Sequence, residues 1–130
     1  MVERHTEEFT DFIGIVESID KEADKFNEDR EEFHIQMKPE GIEVKGDTGF
    51  IHEWIKMSAK ATDVVIPEGS VLDNYIKELE ILNKEVKKMV SVTEVFAWMV
   101  GKKFRFVRKK LGRAYQGHEA KSYWTPVSLQ

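Results

Sequence analysis

Hydrophobic and polar positions alternate with a period of two in five stretches of this chain, and a block with a different period separates the third from the fourth. The first stretch, "FTDFIGIVESIDKEA", is apolar from Phe12 to Val16, carries Gly14 inside it and resumes at Ile19. A strand with an internal glycine usually bends or bulges there. The second, "EEFHIQMKPEG", sets Phe33, Ile35 and Met37 on one side and His34, Gln36 and Lys38 on the other, and Pro39-Glu40-Gly41 stops it. After the turn residues "GDTG", the third stretch "FIHEWIKM" places Phe50, His52, Trp54 and Lys56 opposite Ile51, Glu53, Ile55 and Met57.

The period then lengthens. Ser70 follows Pro67-Glu68-Gly69 and predicts an N-cap for a helix through Leu82, with Asp73 as the reciprocal capping partner. Val71, Leu72, Tyr75, Ile76, Leu79 and Leu82 share one face of it. Ser91 and Glu94 repeat the capping signature before "VFAWMV", and Gly101 closes this second helix. Two strands end the chain. "KKFRFVRKK" puts Phe104 and Phe106 against Arg105, Val107 and Lys109, and "KSYWTPVSL" sets Tyr123, Thr125, Val127 and Leu129 against Trp124, Pro126 and Ser128. The Gly-rich "LGRAYQGHEA" between them reads as a hairpin loop.

A three-stranded meander, helices before the fourth strand and a closing hairpin predict one mostly β domain over residues 1–130, a five-stranded Greek-key barrel. The bent Gly14 strand would pair with both halves of such a barrel. An open α+β sheet with the helices on one face is the alternative. In element order, and in the first strand "GIVESI", the chain resembles the oligonucleotide/oligosaccharide-binding (OB) fold over nearly its whole length. Its layout is most similar to single-stranded-DNA-binding domains of the replication protein A type. Two features depart from that pattern: the long acidic stretch between the first two strands, and two helices where one is usual. The resemblance implies a ligand face on strands two and three, flanked by the first and last hairpin loops.

Length and composition agree with a single globular unit: 130 residues, 41% hydrophobic and 34% charged. The absence of cysteine excludes disulfides, thiolate metal sites and thiol nucleophiles. With no apolar run long enough to span a bilayer and no signal segment, a cytoplasmic location is expected. The net charge of −4 hides an asymmetry. Residues 1–32 carry twelve acids against four bases, whereas residues 101–122 carry eight bases against Glu119 alone. Local field, not overall charge, selects polyanions. Mutual neutralisation of the two segments is the competing explanation.

Catalytic signatures are missing. The sequence has no G-x-S-x-G, no phosphate-binding glycine loop, no H-E-x-x-H and no dinucleotide fingerprint, so no enzyme activity and no cofactor is expected. His34 and His52 could face each other across adjacent strands with Glu53 nearby, a set able to bind zinc or iron. A regular strand turns Glu53 to the opposite face, and no metal site is expected. Binding chemistry has more support. With Ile51, Ile55 and Met57 inside, Phe50 and Trp54 point outward beside Lys38 and Lys56 as stacking platforms for bases. Arg105 and Lys109 project outward, and Arg108, Lys110 and Arg113 lead into the last hairpin loop carrying Tyr115, cations that would displace counterions from a phosphate chain beside an aromatic that would stack. The expected function is therefore sequence-tolerant binding of single-stranded DNA or RNA. The alternative is a protein-interaction or assembly module using Tyr75, Phe96, Trp98 or a strand edge, with a partner protein or a second copy.

Overall fold

The computed structural model describes residues 10–24, 27–42, 44, 49–58, 60–112 and 120–130, with backbone alone at 27–29. The strands are β1 (Asp11–Asp24), β2 (Asn27–Pro39), β3 (Ile51–Lys56), β4 (Lys103–Lys110) and β5 (Ser122–Leu129). Between β3 and β4 lie α1 (Val71–Leu82), a 3-10 turn (Lys84–Lys88) and α2 (Val92–Met99). All pairings are antiparallel, in the order β3-β2-β1-β4-β5.

Both helix starts follow their capping signatures. Ser70 Oγ accepts from the Asp73 amide at 3.2 Å, and Asp73 Oδ2 accepts from the Gly69 amide at 2.8 Å. Ser91 Oγ accepts from the Glu94 amide, and Glu94 Oε2 accepts from the Val90 amide. Each pair satisfies amide donors that the helix itself leaves open. Gly101, at φ +87°, then turns the chain out of α2 into β4.

β1 is the central strand. Its residues Asp11–Ile15 pair with β4, and from Gly14 onward it also pairs with β2, so Gly14 and Ile15 have a partner on each side. A Cβ at Gly14 would lie 2.9 Å from the Lys38 carbonyl oxygen and 3.0 Å from the Phe12 ring. Glycine is required there for close approach. The bulge lies further on, at Glu17, between the pairs Val16↔Met37 and Ser18↔Gln36. That extra residue shifts the core-facing parity from Phe12 and Val16 to Ile19 and Lys21, which explains the offset apolar pattern. The acidic stretch expected to separate the first two strands is itself strand: β1 and β2 stay paired as far as Asp24↔Asn27. The Lys21–Glu31 and Lys56–Asp24 ion pairs accompany its backbone pairing, and Asp24 and Glu32 are buried.

The expected closed barrel does not form. Among the described residues no ladder joins β3 to β5, and the sheet is open, with α1 packed against both of its end strands. A buried carboxylate occupies the seam. Glu53 of β3, 3% exposed, accepts from the Trp124 amide of β5 at 2.6 Å and from its neighbour Trp54's amide at 3.1 Å. The sheet is therefore curled until its end strands lie one side chain apart. Pro126, of the same parity as Trp124, has no amide hydrogen to offer at that rim. The core fills the concave side with Phe12, Val16, Ile35, Ile55, Phe104 and Phe106, capped by Leu72, Tyr75 and Leu79 of α1.

Burial pushes the Glu53 carboxyl up to about 7, against the pull of its two amide donors and of Lys121 and Arg108. The unfolded chain releases this proton near 4.5 and the folded one near 7. Stability from this group is thus complete below about pH 4.5, declines as pH rises to about 7, and is flat above. The expected loss is on the order of 3 kcal/mol. Urea denaturation of the parent against Glu53→Gln across pH 5–8 will show this slope in the parent and its absence in the variant. A Gly14→Ala substitution should lower stability by roughly 1–3 kcal/mol through overpacking, read as a shift of the denaturation midpoint with unchanged slope.

Candidate nucleic-acid interface

The cations of β4 are largely engaged by the protein itself. Arg105 Nε donates to Asp11 at 3.1 Å, Lys109 to Glu78 of α1 at 3.0 Å, and Lys103 to Glu40. Arg105 and Asp11 are each 47% exposed. Such a pair contributes at most about 1 kcal/mol, so its cation can exchange one anionic partner for another at little cost. Lys38 on β2 and Lys110 at the end of β4 are exposed, with no ion-pair partner among the described residues. Lys56 lies 3.4 Å from the buried Asp24 carboxylate. Arg113 and Tyr115 fall outside the described residues.

Other cations lie against aromatic rings. Arg108 sits over the Trp124 ring at 4.4 Å, Lys121 over Tyr123 at 5.1 Å and Lys102 over Trp98 at 4.9 Å. Arg108 is paired with Trp124 across β4 and β5, which puts its guanidinium at the end of the core face, where its charge reaches Glu53. The sequence reading sends Arg108 into the loop with Lys110 and Arg113 without placing it on Trp124, and it omits Lys121 and Tyr123. The parity of "FRFVRKK" continued past Phe106, together with the alignment of Arg108 on Trp124, is the signal that identifies Arg108.

The outer face of β2 and β3 differs from the expected stacking surface. Ile51, Glu53 and Ile55 face the core and Trp54 faces outward, as the parity implies, yet Trp54 is only 4% exposed. Its ring stacks on His34 at 4.6 Å and 12°, with His52 at 5.6 Å. Phe50, just before β3, is half-buried. The two histidines meet, His34 Nε2 and His52 Nδ1 being 2.7 Å apart, while His34 Nδ1 lies 3.2 Å from Glu22 Oε2. The carboxylate beside the histidines is Glu22 of β1, not Glu53. The Glu17 bulge brings Glu22 to their face, and alternation without that bulge misplaces it.

The described chain thus separates the predicted site. Lys38 and the β4 cations stay on the surface, Lys110 lies at the root of the last hairpin, and Trp54 is stacked within the protein. No protein-family model matches the chain, and no curated protein matches it. Among the described residues no helix is long and apolar enough to cross a membrane.

One consequence concerns the coupling between Arg108 and Glu53. Replacing Arg108 by Ala removes a charge that holds the Glu53 carboxyl down, so the pH at which parent and variant stabilities level off should move upward from about 7. Denaturation at closely spaced pH values between 6 and 9 measures it.

Proposed function

We propose that the protein binds single-stranded nucleic acid through its last hairpin, with the cations at the hairpin root making sequence-tolerant phosphate contacts. The observation that carries this reading is the position of Lys110: exposed, without a carboxylate partner among the described residues, at the end of β4 and leading toward Arg113. Lys109 and Arg105, on the same strand, are held only by exposed ion pairs that a phosphate can replace. Tyr123 and its Lys121 supply a ring and a cation across the hairpin. The strand order supports the reading from the fold side. A central β1 paired with β2 and β4, and helices between β3 and β4, follow OB connectivity opened along one seam. The stacking contribution shifts from Trp54, which is covered, to the hairpin.

A second reading has its own observation. Tyr75 and Phe96 are core residues and Trp98 is half-buried beneath Lys102, so an interaction surface would not use them. Val64, Val65 and Val90 are instead exposed at 67%, 60% and 76%. Val64 and Val90 border a groove of about 170 Å³ floored by Ile76, Val86 and Val92. Apolar exposure of this kind suits protein contact.

One titration separates the two. Fluorescence anisotropy of labelled oligothymidine should show binding that weakens steeply with salt, with a slope of roughly 0.7 per phosphate contact for a single strand. Replacing Lys110, Arg113 and Lys121 together by Glu should abolish binding. If the triple variant binds like the parent, the hairpin reading is wrong. If the parent gives no shift and light scattering shows a stable oligomer, the assembly reading replaces it.

A further inference from the structure

The pair of imidazoles on the outer face of β2 and β3 is placed for chemistry that nucleic-acid binding does not use. His34 belongs to β2 and His52 to β3, and the ladder pairs His34↔Trp54 and Gln36↔His52, so the two histidines are diagonal neighbours on one face. Their facing nitrogens are 2.7 Å apart. Two imidazole nitrogens at that separation share a proton, or they bind one cation between them. A tetrahedral zinc ion takes histidine nitrogens at about 2.0–2.1 Å, which sets two such nitrogens roughly 3.3–3.4 Å apart. An opening of roughly 0.6 Å, with the rings turned so that both lone pairs converge on one ion, converts the hydrogen bond into a chelate.

The rest of the cluster favours the chelate. Glu22 Oε2, at 3.2 Å from His34 Nδ1, is an acceptor that keeps the proton on Nδ1 and leaves the Nε2 lone pair directed at His52. A carboxylate behind a ligating imidazole fixes its tautomer and raises its basicity. Trp54, stacked flat on His34 with rings 12° from parallel, restrains the imidazole against rotation. The Glu22 side chain is 42% exposed, which leaves an approach from solvent.

We propose that His34 Nε2 and His52 Nδ1 bind a late first-row transition-metal cation, zinc(II) or copper(II), with Glu22 holding His34 from behind. Imidazole donors select these ions over magnesium and calcium, and copper(II) binds most strongly in the series. His34 coordinates through Nε2 while its Nδ1 keeps its proton and donates it in a hydrogen bond to Glu22, and His52 moves its proton from Nδ1 to Nε2. The neutral pair therefore takes up the ion without net proton release. Among the described residues no group of three or more His, Asp or Glu side chains could hold a metal ion, so the proposed site has two protein donors, with water to complete the shell. Two donors make an exchangeable site, not a structural one.

The test uses the full chain and copper(II) chloride, with Trp54 as reporter because its ring contacts both imidazoles. Copper(II) should quench the fluorescence saturably at one equivalent, and zinc(II) should compete. Electron paramagnetic resonance should show two nitrogen donors. His34→Ala should remove the saturable quenching. His52→Phe should remove it too while keeping a ring against Trp54, with circular dichroism confirming the fold. Glu22→Gln should weaken binding by about 10–100-fold. Absence of saturable quenching in the parent, or saturable quenching in both histidine variants equal to that of the parent, overturns the proposal. Unchanged affinity in Glu22→Gln overturns the part given to Glu22.

Discussion

One strand with two partners is the constraint from which this structure follows. At Gly14 and Ile15 the backbone of β1 is flanked by β2 and β4 at once, so both halves of the sheet are anchored at a single point. The chain leaves that point along β2 and β3 to one edge and must return to the other side of β1 as β4. The two helices make that journey. They cross the open side of the curled sheet and bury Leu72, Tyr75, Leu79, Val92, Phe96 and Met99 on the way. Gly14 makes the anchor possible because the Lys38 carbonyl occupies the space a side chain would need.

The second organising element is a buried charge. Glu53 lies where a fully closed sheet would have a ladder, and its two oxygens accept from amides of β3 and β5. A carboxylate is a costly substitute for a row of backbone hydrogen bonds, and the elevation of its protonation point reflects that cost. Arg108 and Lys121 moderate it, which ties the last hairpin electrostatically to the core. Of the two, Lys121 also belongs to the surface proposed to meet a polyanion, so binding there would bear on the protonation of the seam.

Much of the fold is legible in the sequence, because alternation and capping are local signals. The five strands, both helix starts and the inward parity of Ile51 and Ile55 follow from it. Three features are not legible. The β1–β2 arm is polar on both faces, so period two carries no burial information there. The bulge at Glu17 leaves only a one-residue slip, which an internal glycine three residues earlier draws to itself. The open seam depends on what Glu53 meets across the sheet, a contact between residues 71 positions apart. The candidate site divides in the same way. The cations are evident from composition, whereas their pairing with Asp11, Glu40 and Glu78 and the stacking of Trp54 on two histidines arise only from the register of neighbouring strands.

The treatment of the β5 rim has a consequence for how the molecule behaves in a crowded solution. The donor at Trp124 is already occupied by Glu53, and Pro126 lacks one. A second molecule approaching that rim finds no continuous row of hydrogen-bonding groups on which to template cross-β growth. The curled sheet thus leaves this edge a poor template for strand addition.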